Sequence, residues 1–111
     1  MDLQVDTRHE GDVAVLAATG EVDVFTAPEL DREIGAQLAD GRSRLVVDLS
    51  SVTFLDSTGL GVLVKGLKGA REAGGSLHLV VTSDRIRKIF DITGLDAAMP
   101  LFDTVDDALG G

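Results

Sequence analysis

Residues 46–64 read VVDLSSVTFLDSTGLGVLV. The opening part, Leu45 to Leu49, is nearly unbroken apolar sequence, the pattern of a central strand covered on both faces. Ser50-Ser51-Val52-Thr53 then reads as a short loop. From Ser57 onward, Leu60, Leu63, Val64, Leu67 and Ala70 share one face at helical spacing, while Lys65, Lys68, Arg71 and Glu72 fall mainly elsewhere. A buried strand therefore hands over to an apolar helix, with a hydroxyl residue at the helix start. A serine oxygen in that position lies beside unpaired helix N–H groups and the positive end of the helix dipole. A phosphate delivered by a kinase can be accommodated there. Residue types alone leave three readings of this point. One of Asp56, Ser57 and Thr58 is simply a helix cap; Ser57 is a phosphoacceptor; or Ser57 or Asp56 is an enzyme's nucleophile.

Working outward, Leu3, Val5 and Thr7 alternate with polar neighbours, Gly11-Asp12 turns the chain, and Val13–Ala18 reads as a more buried strand. Their spacing predicts an antiparallel hairpin. Gly20–Phe25 leads into a helix with Thr26 as N-cap, Glu29 at the capping-box position and Pro28 in the first turn. Leu30, Ile34 and Leu38 give that helix its apolar face. Gly61, Gly66 and Gly69 inside the second helix imply close approach of sheet or partner. Beyond Gly74-Gly75, Leu77–Val81 is a strand, and Ser83 or Asp84 caps a short helix carrying Ile86, Ile89 and Phe90. Met99–Phe102 is an edge strand, because Pro100 lacks a donor. Thr104 starts a last helical turn anchored by Leu109. The order β-β-α-β-α-β-α-β-α predicts an α/β fold. Its mixed sheet has about five strands with an N-terminal hairpin, and right-handed crossovers place the helices mainly on one face. Residues 1–111 form a single domain at this length.

Composition removes several functions. With no Cys, disulfides, thiolate zinc sites and thiol catalysis are excluded. His9 and His78 lie in different strands without a partner at ligand spacing. Asp48 and Asp56 make an incomplete metal pair. The string Leu55–Gly59 is not a G-x-S-x-G elbow, and no G-x-x-x-x-G-K-[ST] loop is present. The expectation is a protein that is not an enzyme and carries no cofactor or metal. The net charge of −9 opposes nucleic-acid binding and suits a basic protein partner. No apolar run approaches a membrane span of about 20 residues. The segment Met1–Asp6 has no signal character, so a cytoplasmic location is expected.

The segment from Val46 to Gly61 resembles the signature of bacterial anti-sigma factor antagonists, the single-domain members of the STAS family. Their pattern is an apolar strand with an acidic residue, a short loop, then D-S-[ST]-G-L-G. Gly20-Glu21-Val22-Asp23, with Ala27 and Leu30 following, is similar to the family's other motif. The resemblance implies a partner-exchange switch. The unmodified protein would bind an anti-sigma factor that is also a serine kinase, and phosphorylation at the residue matching Ser57 would release it. A serine phosphatase would reset the cycle, while ATP and Mg²⁺ would belong to the kinase. Asp23, Asp56, Thr58, Gly59 and Gly61 are the implied partner-binding residues, and a monomer is the simplest expectation. The alternative is a STAS-type scaffold that binds partners without a phosphorylation cycle, as a module of a signalling assembly.

Overall fold

A computed structural model describes residues 2–111. Strands β1 (Leu3–Glu10) and β2 (Val13–Val22) form the antiparallel hairpin, turned at Gly11 with φ of 64°. Helix α1 (Ala27–Ala39) leads to β3 (Arg44–Leu55), and α2 (Ser57–Glu72) leads to β4 (Ser76–Val80). Helix α3 (Asp84–Thr93), a 3₁₀ turn, strand β5 (Leu101–Phe102) and helix α4 (Val105–Gly110) complete the chain. The strand order is β1-β2-β3-β4-β5, and every pair after the hairpin is parallel. The mixed five-stranded sheet with four helices is the one expected.

Helices α1, α2 and α3 contribute Leu30, Ile34, Leu63, Leu67, Ile86 and Phe90 to one core against the sheet. Each such side chain, fully buried, contributes about 1.5–3 kcal/mol. Gly66 and Gly69 let α2 come close to α1: a β-carbon at Gly66 would stand 3.1 Å from Ile34 Cγ2, and one at Gly69 would stand 2.8 Å from Leu38 Cδ1. The opposite face carries a smaller cluster, where α4 lays Ala108 and Leu109 over Val13, Val15, Val46 and Val80. His78 belongs to this face; its Nδ1–H donates to the Ala108 carbonyl at 3.1 Å, and its ring lies 5.2 Å from that of Phe102.

β5 begins at Leu101 rather than Met99, and two strand ends also differ from expectation. Gly20–Val22 and Ser50–Leu55 are strand, not loop, and they pair with each other as Thr19↔Ser51, Gly20↔Val52, Glu21↔Phe54 and Val22↔Leu55. The buried residues here, Leu49, Val52 and Leu55, recur every third position, which masks the two-residue period of a strand. The register explains it. β3 takes one extra residue between Asp48 and Ser51 and another between Val52 and Phe54, relative to β2. Each bulge bends the strand and resets which side chain faces the helices. The result carries β2 and β3 side by side to the helix starts, so the β2–α1 and β3–α2 connections emerge together.

Chain order and strand order coincide, and α1 to α3 share one face. The sheet therefore lacks the strand-order reversal at which open α/β sheets form a ligand crevice.

Candidate functional site

At the start of α2, the cap is Asp56. Its Oδ1 accepts from the N–H of Thr58 at 2.9 Å and of Gly59 at 3.2 Å, and its own N–H donates to the Val22 carbonyl at 3.2 Å. The helix start is thus tied to the end of β2. Ser57 is the first residue of the helix, exposed beside the equally exposed Thr58. The expected bank of unpaired N–H groups is corrected: two of them already hold a carboxylate. Gly59 is buried, and a β-carbon there would stand 2.5 Å from Leu55 Cδ1 and 2.7 Å from Val22 Cγ1. Gly59 thus closes the packing beneath the site, whereas Gly61 is exposed with open space around its α-carbon.

The β2–α1 turn is built around Asp23, a buried carboxylate only 5% exposed. Its Oδ1 accepts from the N–H of Phe25 and of Thr26, both at 2.9 Å, and its carbonyl accepts from the Ala27 N–H at 2.8 Å. The Thr26 hydroxyl donates to the Glu21 carbonyl at 2.7 Å and accepts from the Asp23 N–H at 2.9 Å. Thr26 therefore stands at the N-cap position of α1 without capping through its side chain, and Glu29 pairs with Arg32 rather than closing a capping box. The Thr26 hydroxyl is already engaged with β2, and Asp23 orders the turn ahead of the helix: its carboxylate holds the Phe25 and Thr26 N–H groups and its carbonyl takes the first helical N–H, of Ala27.

The Thr26 N–H, followed by the Phe25 N–H, holds the Asp23 carboxyl below its ordinary value of 3.8, against the upward push of burial. A depressed folded-state pKa contributes stability that is complete above the unfolded value. That stability disappears as pH falls through the folded value. Asp23→Asn keeps an acceptor oxygen but not the titration. In urea unfolding at about pH 7 and again at about pH 2.5, the parent should lose more stability on acidification than Asp23→Asn.

Around these two helix starts the surface is apolar. Val24 is 58% exposed, Phe25 85% and Phe54 43%. Phe54 pairs in register with Glu21 near the end of β2, and Val24-Phe25 follows β2 directly, so all three stand at the strand ends that also deliver Ser57. Exposed apolar clusters of this kind mark interaction surfaces. Val24, Phe25 and Phe54 are not evident as site residues from periodicity. The available signal was that two of only four aromatic residues fall outside the apolar faces assigned to helices and strands. Grooves of about 580 Å³ beside α3 and about 500 Å³ between α1 and α2 lie elsewhere. Among the described residues, no group of three His, Cys, Asp or Glu is placed to hold a metal ion. No helix among them is long and apolar enough to cross a membrane.

The family model of the STAS domain matches residues 4–108. The anti-sigma-B factor antagonist of Staphylococcus aureus is 36% identical over 99 residues, covering 89% of this chain and 92% of that protein. The crystal structure of an anti-sigma factor antagonist from Mycobacterium paratuberculosis is 37% identical with a TM-score of 0.91, covering 98% of this chain and 92% of that one. The anti-sigma factor antagonist SpoIIAA in its unphosphorylated form superposes with a TM-score of 0.80 at 21% identity, over 97% of this chain and 93% of that one, a likeness of fold.

Proposed function

We propose that this chain, which belongs to the STAS domain family, is an anti-sigma factor antagonist that binds an anti-sigma factor with serine kinase activity and is released by phosphorylation at Ser57. The observation that carries the reading is the juxtaposition of an exposed Ser57, first in α2, with exposed Val24, Phe25 and Phe54. One patch thereby offers both an apolar docking surface and a hydroxyl. The relatives' names support the partner class.

The mechanism needs no rearrangement of this chain. A phosphate adds about −1.5 to −2 charges beside Asp56, on a protein whose net charge is already −9. It also adds volume to the centre of a complementary surface. A loss of about 3 kcal/mol weakens binding more than a hundredfold. The kinase supplies ATP and Mg²⁺, and a serine phosphatase returns the chain to its binding form. Within the site the roles divide by exposure. Thr58 and Gly61 meet the partner directly, with Asp56 at the margin. Asp23 acts by shaping the turn that presents Val24 and Phe25, and Gly59 acts from beneath.

The test is incubation with candidate anti-sigma factor kinases and Mg-ATP, followed by mass-spectrometric localisation. One phosphate on Ser57 is expected; phosphate on Thr58 instead, or a tight complex never modified at all, overturns the assignment.

A further inference from the structure

The start of α2 already holds an anion. Asp56 Oδ1 occupies the N–H groups of Thr58 and Gly59, and the next one, of Leu60, bonds the Asp56 carbonyl at 3.1 Å as the first turn of the helix. The Asp56 N–H is itself held by the Val22 carbonyl at the end of β2, so the cap is anchored from both sides. The remaining terminal N–H is that of Ser57 itself. Phosphate at a helix N-terminus ordinarily gains hydrogen bonds and a favourable dipole. Here two of the donors that would supply them, the Thr58 and Gly59 N–H groups, are in use, and the group using them carries the same sign of charge one residue away.

We propose that Asp56 shuts the phosphate of a modified Ser57 out of the helix N-terminus, leaving it in solvent and making the phosphorylated fold less stable than the unmodified one. The inference rests on the reading of Ser57 as the acceptor and adds a consequence to it. With the Thr58 and Gly59 donors taken, the modified side chain stays presented to a phosphatase and to the partner that must reject it. The balance is unfavourable: the helix offers the phosphate only the Ser57 N–H, and the neighbouring carboxylate repels it. Relocating Asp56 would not remove the cost, because the Thr58 and Gly59 donors would only exchange one acceptor for another.

The test requires no kinase. Phosphoserine is incorporated at position 57 of the full chain during translation, and the product is compared with the unmodified chain by thermal unfolding and by amide spectra. The phosphorylated parent should melt about 2 °C or more lower, with the Thr58 and Gly59 amide signals close to their unmodified positions. In Asp56→Asn, which keeps a capping oxygen without the charge, phosphorylation should lower the melting temperature by no more than half as much. Asp56→Ser, another neutral cap, repeats the comparison should the Asn variant fold poorly. A phosphorylated parent that melts higher, coupling of the phosphorus across the Thr58 or Gly59 N–H, or an equal penalty in the neutral variants overturns the proposal. Modification by kinases at a residue other than Ser57 would defeat the functional reading and leave this measurement unchanged.

Discussion

Ser57→Ala should abolish phosphate incorporation while leaving partner binding within about threefold of the parent, a difference under about 1 kcal/mol. The structure makes this substitution unusually clean. A capping serine would confuse the result, because its loss costs about 1 kcal/mol of helix stability. Here Asp56 performs the capping, and Ser57 sits at the first helical position with its side chain exposed. Alanine is the best helix former, so unfolding by urea should give the parent's stability to within about 0.5 kcal/mol. Ser57→Glu should behave as a partial mimic. It places one charge, not two, beside Asp56, and binding measured by calorimetry should weaken about tenfold, against more than a hundredfold for the phosphorylated parent. Phosphorylation of Ser57→Ala at the parental rate would remove Ser57 from the mechanism. Equal binding by the phosphorylated and unmodified chains would remove the switch.

That Asp56 and not Ser57 caps the helix is not visible in the residues alone. Asp56, Ser57 and Thr58 all have the chemistry of a cap, and only backbone geometry distinguishes them: Asp56 is extended, at φ −108° and ψ −174°, while Ser57 is already helical. The turn at Asp23 has the same ambiguity. Thr26 followed by Glu29 has capping-box chemistry, yet the Thr26 hydroxyl bonds back to Glu21, and the Asp23 carboxylate holds the Phe25 and Thr26 N–H groups just ahead of the helix. Side chains that bond local backbone in several ways leave such choices to tertiary context. What was legible is what periodicity controls. Leu60, Leu63, Leu67 and Ala70 define α2, and Val13–Ala18 opens as β2. The parallel order follows from alternating strands and helices. Where the period breaks, legibility broke with it. Leu49, Val52 and Leu55 bury at intervals of three because β3 bulges against β2, and the end of the strand was read as loop. That same extension leaves Phe54 exposed near the end of β3, so the boundary and this exposed aromatic escape the periodicity for one physical reason.

Phe25→Ala should weaken partner binding about thirtyfold or more without altering the fold. The ring is 85% exposed, so its removal leaves no cavity and uncovers no core. The turn survives, because Phe25 contributes to it through its backbone N–H, which bonds Asp23 Oδ1 whatever the side chain. Stability should stay within about 0.5 kcal/mol of the parent. Binding differs because aromatic anchors near the centre of an interface commonly cost about 2 kcal/mol or more on truncation. Val24 and Phe54 are exposed at the same strand ends. Ile92 provides the control: it is 73% exposed, yet lies near the far end of α3. If exposed apolar area alone governed association, Ile92→Ala and Phe25→Ala would weaken the complex comparably, and the docking surface would be misplaced. If position governs it, only Phe25→Ala should do so. The kinetics of phosphorylation then separate docking from chemistry. Losing an anchor used equally before and during phosphoryl transfer raises KM and leaves kcat near the parental value, because Ser57 and its helix start do not depend on the Phe25 ring. A fall in kcat with KM unchanged would mean instead that the ring helps align the hydroxyl, and that docking and transfer are one event at this surface.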